Sequence, residues 1–160
     1  MKNMNRFLAV LAFVGFGLAV IIHILTFYGV SLTEKIPLLY GLHFGVFIVF
    51  VPMVFSLSTF WMSKREGAFE RWVWSYKKFI GPVPVPIRVA TLLIVIYVFI
   101  SIPFVFSQLE QDSVTQDSVS SRALTTEEYS LQSVYVARGF SAAWMMFYWL
   151  PAVYFSYHRK

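Results

Sequence analysis

The sequence IIHILTFYGVSLTEKIPLLYGLHFG, residues 21–45, decides the fold, because it joins the end of one long apolar run to the start of another. The two runs span residues 7–28 and 38–60, and each is close to the ~20 residues that a helix needs to cross a bilayer. Each run carries one histidine near the turn, His23 in the first and His43 in the second. This hairpin is therefore the first place to look for chemistry.

The composition of the chain indicates that the whole molecule, and not only this hairpin, consists of membrane-spanning helices. Of the 160 residues, 58% are hydrophobic and only 13% are charged, whereas soluble domains contain about a quarter charged residues. Two further apolar runs follow, at 87–107 and within 126–157. We therefore predict an all-α, integral membrane four-helix bundle that forms a single membrane domain over residues 1–160. The chain has no cysteine, which excludes disulfides, Fe–S clusters and thiol catalysis.

The segments between the apolar runs differ in character. Residues 64–80 place aromatic and aliphatic side chains at helical spacing with basic residues between them, which is typical of an amphipathic helix lying in the membrane surface. A solvated connector is the alternative. Residues 81–86 contain three alternating prolines and predict a stiff extended strap before the third span. Residues 108–125 are polar and predict an outer loop, followed by a fourth span with an outer extension.

The first two spans carry small residues that favour close helix packing. Gly15, Ala19 and His23 lie four residues apart, so His23 shares a helix face with small side chains and is expected to face the bundle. Gly41 and Gly45 form a G-x-x-x-G pair about 160° from His43 around the second span. A basic start before the first span also resembles a signal peptide, but the apolar run is long, so we expect a retained anchor.

The distribution of basic residues predicts the orientation. Lys and Arg are concentrated at the N-terminus, in the second connector and at the C-terminus, and the net charge is +5. Because basic residues beside membrane spans remain on the cytoplasmic side, both termini and the interfacial helix are predicted to be cytoplasmic. The expected location is a bacterial inner membrane. The same charges flank apolar spans, so they do not indicate nucleic acid as a partner.

Three polar residues are the candidate cofactor-binding residues, and all three are predicted to lie in the outer half of the membrane: His23, His43 and Arg138. Two neutral imidazoles at similar depth could ligate haem b or a metal, and Arg138 could pair with a haem propionate or an anionic ligand. That hypothesis describes an electron-transfer protein. A second alternative is an anion, lipid or quinone pocket around Arg138, and a third is a purely structural polar cluster.

The sequence excludes several classes of membrane protein, and this exclusion determines the function that it favours. No carboxylate lies within a span, the spacing of an intramembrane hydrolase is absent, and no P-loop or dinucleotide motif occurs. The sequence therefore favours a non-enzymatic membrane subunit or scaffold that binds other membrane proteins or lipid. It assigns neither a cofactor nor an oligomeric state.

Overall fold

The computed structural model describes residues 2–30, 38–62, 67, 77, 79–117 and 126–158. Within these ranges the protein is all-α, with four long helices in chain order: α1 (Lys2–Phe27), α2 (Leu38–Met62), α3 (Val85–Asp117) and α4 (Thr126–Tyr157). Three of them, α1, α2 and α3, contain segments that are long and apolar enough to cross a membrane. The all-α architecture is confirmed, and the three apolar helices are compatible with a membrane protein.

The end of α1 is fixed by a left-handed glycine. Gly29 has a φ of 74°, which glycine adopts without steric cost. The Val30 amide donates to the Leu25 carbonyl at 3.1 Å, and the Gly29 amide donates to the Thr26 carbonyl at 3.3 Å. This pattern is a Schellman motif, which satisfies carbonyl groups that the helix end leaves without intrahelical partners.

The proline-rich segment before α3 is shorter than the sequence predicted. Helix α3 begins at Val85, because a proline in the first helical turn, here Pro86, lacks only an amide that would be unpaired anyway. The Arg88 guanidinium donates to the Val83 carbonyl at 2.6 Å and to the Gly81 carbonyl at 3.0 Å. The remaining strap is thus a compact turn held by an arginine of the helix that follows it.

At its other end α3 continues to Asp117, so the first part of the segment predicted as an outer loop is helical. Residues 108–117 contain no glycine or proline and include glutamine, leucine and glutamate, which are good helix formers. Residues 118–125 lie outside the described residues. So does the predicted interfacial helix, 64–80, apart from Gly67, Lys77, Phe79 and Ile80.

Helix α4 is the centre of the bundle. It packs against α1, α2 and α3, whereas α1 and α2 also contact each other and α3 is held mainly by α4. Although it was predicted as the fourth span, α4 is not among the three helices with a sufficiently apolar membrane-length segment. Its surroundings explain the difference, because a helix enclosed by other helices can carry Ser, Arg, Tyr and Trp that lipid would penalise.

Tyr148 of α4 fills the middle of this core and is 2% exposed. Its hydroxyl donates to the Leu42 carbonyl of α2 at 2.5 Å. The ring lies between Gly15 of α1 and Gly45 of α2, at positions where an added Cβ would overlap the tyrosine. Near Gly41, the other member of the G-x-x-x-G pair, no atom of the described residues lies within 4 Å of such a Cβ. The glycines therefore make room for one aromatic side chain rather than for a close helix pair.

The ends of the chain lie at the same end of the bundle. The Asn5 side-chain amide, near the start of α1, donates to the His158 carbonyl just after α4 at 3.4 Å. The Phe79 ring, from the segment before α3, stacks on Tyr154 and on His158. The start of α1, the end of α4 and the end of the second connector thus share one end of the bundle.

Candidate functional site

His23 joins three helices through its two ring nitrogens. The imidazole is 5% exposed. Its Nδ1 is 2.9 Å from the Ser141 hydroxyl of α4, and its Nε2 is hydrogen-bonded to the Tyr97 phenol of α3. Its ring also meets the Tyr97 ring edge-on, with centroids 5.5 Å apart. The face with Gly15 and Ala19 therefore turns His23 into the bundle, and the histidine becomes the middle member of a hydrogen-bonded chain.

The direction of the hydrogen bonds in this chain can be assigned from the donor inventory. The Ser141 hydroxyl donates to the Arg138 carbonyl one turn earlier, at 3.0 Å, so its oxygen accepts from the His23 Nδ1–H. Nε2 of the neutral ring then has no hydrogen and accepts from the Tyr97 hydroxyl. We therefore assign His23 as the Nδ1–H tautomer, with every hydrogen bond running from Tyr97 toward Arg138.

Arg138 is held at the C-terminal end of α1. Its Nη2 donates to the Thr26 carbonyl at 2.9 Å, and its Nε lies 3.4 Å from the Thr26 hydroxyl. The guanidinium carbon is 4.5 Å from the centroid of the Phe27 ring, within the range of cation–π attraction. A cation at a helix C-terminus is stabilised by the helix dipole. These contacts give Arg138 a structural partner within the protein.

His43 lies in a different part of the bundle. It is exposed, and its ring meets Trp144 of α4 edge-on at 4.7 Å and lies 5.7 Å from Phe140. His23 instead contacts α4 at Ser141, and the described contacts of the two histidines share no residue. Because both nitrogens of His23 are already hydrogen-bonded, this arrangement does not favour a haem shared by the two histidines.

The structure thus brings together two of the three predicted site residues. Arg138 and His23 both contact Thr26, whose hydroxyl donates to the His23 carbonyl at 2.7 Å, whereas the described ring contacts of His43 are with Phe140 and Trp144. Among the described residues, no group of three or more His, Cys, Asp or Glu side chains is arranged to hold a metal.

Tyr97 and Ser141 are the members of the cluster that the sequence did not select. The sequence did place a tyrosine in the middle of the third span, and a buried phenol needs a hydrogen-bond partner. A tyrosine within a span therefore predicts a hydrogen bond but does not identify its partner. The partner is His23, which is 74 positions away in the sequence.

Two clefts open on the side where α1 and α3 face each other. One has a volume of about 370 Å³ and is lined by Val20, His23, Ile24, Leu93, Ile94, Tyr97 and Met145. The other, of about 470 Å³, lies toward the chain termini and includes Phe13, Ile87 and Trp149. Between them, the Trp149 indole donates to the Thr91 hydroxyl at 2.9 Å, which ties α4 to α3.

A third cleft lies on the opposite side of α3, where it meets α4. It has a volume of about 280 Å³, and all of its accessible lining is apolar. Phe140, which is 49% exposed, borders it together with Gly139 and Ala143 of α4 and Val105 of α3. Gly139 deepens this surface, because an added Cβ would lie only 3.3 Å from a Val105 methyl group.

No protein-family model, curated protein or solved structure matches the chain. The protein is therefore described by its own features: an all-α bundle of four described helices, three of them able to span a membrane, around a histidine-centred hydrogen-bonded chain.

Proposed function

We propose that this chain is a non-enzymatic integral membrane subunit or scaffold, which binds other membrane proteins or lipid through the sides of its helices. It spans a bacterial inner membrane four times, with both termini in the cytoplasm. The principal support for lateral binding is the apolar cleft between α3 and α4, where Phe140 of α4 is 49% exposed.

The chemistry of this cleft favours a partner helix. Its described lining exposes no polar atom to orient a small ligand, and helices in lipid associate chiefly by close packing at small residues. Gly139 and Ala143 lie one turn apart on α4, and Phe140 stands beside them as an exposed aromatic side chain. A single apolar transmembrane helix from another membrane protein would fill the space between these side chains.

The proposed orientation is supported by the grouping of the chain ends at one end of the bundle. Because the chain has no cysteine, single cysteines report sidedness without background. We expect Val30→Cys to react with a membrane-impermeant maleimide in intact spheroplasts. Gly67→Cys should react only after the membrane is opened. The reverse pattern would contradict the orientation.

Photo-crosslinking from single cysteines tests the lateral binding surface. Ala143→Cys in the cleft and Ile100→Cys on the exposed side of α3 are each labelled with benzophenone maleimide in native membranes and irradiated. We expect the cleft position to yield one discrete polypeptide adduct, identified by mass spectrometry, and the control position to yield lipid adducts. Lipid adducts alone at both positions would refute a protein partner in this cleft, and an adduct with the chain itself would identify a homo-oligomer.

A further inference from the structure

The cleft that contains His23 and Tyr97 has a composition different from that of the α3–α4 cleft. Its walls are aliphatic side chains of α1 and α3 with Met145 at the floor. Tyr97, which is 37% exposed, brings a hydroxyl to this otherwise apolar space. The cleft is open to the side of the bundle, where a membrane would place acyl chains. A ligand here is therefore mainly apolar and offers a hydrogen-bonding atom to a phenol.

The hydrogen-bonded chain behind Tyr97 can run in either direction. Tyr97, His23 and Ser141 each contain both a donor and an acceptor. In the direction assigned above, the Tyr97 hydroxyl donates to His23 and presents a lone pair to the cleft. If His23 changes to the Nε2–H tautomer, it donates to Tyr97 and accepts from Ser141, and the Tyr97 hydrogen is free to point into the cleft.

This reversibility matches a ligand that exists as both an acceptor and a donor. A quinone presents a carbonyl oxygen, which needs the Tyr97 hydrogen, whereas the corresponding quinol presents a hydroxyl, which can donate to the Tyr97 lone pair. We propose that the α1–α3 cleft binds a lipid-soluble quinone and its quinol, with Tyr97 as the hydrogen-bonding group and His23 as the residue that sets its direction.

Position and charge favour this ligand over a phospholipid. The polar pair lies one turn before the end of α1, and the described residues of the cleft lining include no charged side chain to pair with a phosphate. The described hydrogen bonds of Arg138 are to Thr26. The second cleft begins at Phe13, about 10 Å further along α1 from Val20, and offers apolar space for an isoprenoid tail.

The inference goes beyond the proposed protein partner and concerns a different side of α4. It requires only that the bundle lies in a membrane. Loss of the crosslinked adduct and loss of quinone binding would therefore be separate results, measured at Ala143 and at Tyr97.

Binding is measured with decylubiquinone and decylubiquinol, added separately to the full chain in phosphatidylcholine nanodiscs and followed by tryptophan fluorescence quenching. We expect saturable binding of both forms. Tyr97→Phe, which removes only the hydroxyl, should weaken both by roughly fivefold to tenfold, the effect of one net hydrogen bond. Tyr154→Phe is the matched control, because the Tyr154 hydroxyl is 2.6 Å from Ser56 on the α2 side. The affinity of this variant for both ligands should equal that of the unaltered chain.

A second measurement needs no substitution. The chain has three histidines, so ¹⁵N-histidine labelling gives three pairs of ring-nitrogen signals, of which the His23 pair is assigned by its loss in His23→Gln. Saturating quinone should move His23 from the Nδ1–H toward the Nε2–H tautomer, and quinol should leave it as Nδ1–H. Absence of saturable binding, equal affinities for the unaltered chain, Tyr97→Phe and Tyr154→Phe, or a tautomer indifferent to bound quinone would each overturn the proposal.

Discussion

The tyrosine at the centre of the bundle predicts that two glycines of the same helix respond in opposite ways to the same substitution. In α1, Gly15 faces the Tyr148 ring, and an added Cβ would overlap ring carbons, whereas no neighbouring atom of the described residues lies within 4 Å of a Cβ added at Gly17. Gly15→Ala therefore forces the ring to move. On the side of Gly45, the Tyr148 hydroxyl already occupies the space that a Cβ would take, so the ring has little room to move in that direction.

The magnitude follows from three contributions to the free energy of unfolding. Overpacking a well-packed core costs about 1–3 kcal/mol. Displacing the ring also disturbs its hydrogen bond to the Leu42 carbonyl, which contributes about 1 kcal/mol. Alanine is about 1 kcal/mol more favourable than glycine inside a helix, which offsets part of these costs. We expect Gly15→Ala to destabilise the protein by roughly 1–3 kcal/mol, and Gly17→Ala to be neutral or stabilising by up to about 1 kcal/mol.

The assay is reversible unfolding of the purified chain in mixed maltoside–dodecyl sulfate micelles, followed by far-ultraviolet circular dichroism. A double variant isolates the cause: with Tyr148→Leu the ring is gone, so adding Gly15→Ala should cost at least about 1 kcal/mol less than it does alone, a coupling typical of residues in direct contact. Equal stability of the two glycine variants, or full additivity in the double variant, would refute the role assigned to Tyr148.

Two further outcomes follow from the contacts around His23. Arg138→Met keeps most of the apolar stem but removes the donors to the Thr26 carbonyl, so it should destabilise the bundle by about 1–2 kcal/mol in the same unfolding assay. Arg138→Lys should retain part of the stabilisation. An Arg138→Met variant as stable as the unaltered chain would contradict the capping role. Because both ring nitrogens of His23 are hydrogen-bonded, the protein purified after expression with added haem should show no Soret band, and a stoichiometric band would restore the electron-transfer hypothesis.

The overall helical class could be predicted from the sequence because it depends on local composition. Apolar runs of membrane length predict α1, α2 and α3 directly, and the structure contains these helices. The central position of α4 could not be predicted in this way. Its Tyr148 and Ser141 lower the apolar character of the segment, yet they are buried between helices, and a hydropathy pattern does not distinguish a helix that faces protein from one that faces lipid.

The candidate site was predicted only in part for a related reason. Helical spacing alone predicted that His23 faces the bundle beside small residues, because that prediction uses only positions within one helix. The partners of His23 come from α3 and α4, and no periodicity within a single helix specifies which helices are neighbours. The same limit applies to His43, whose orientation depends on where Trp144 lies rather than on the glycine pair in its own helix.

The central position of α4 also has a consequence for biogenesis. α4 follows the other three helices in the sequence and provides most of their packing partners, so α1, α2 and α3 leave the ribosome before the surface that unites them exists. During that interval His23 lacks Ser141 and the end of α1 lacks Arg138. A chain arrested before α4 is made would leave these polar groups without the partners that α4 supplies, so the last helix completes the polar contacts of the first.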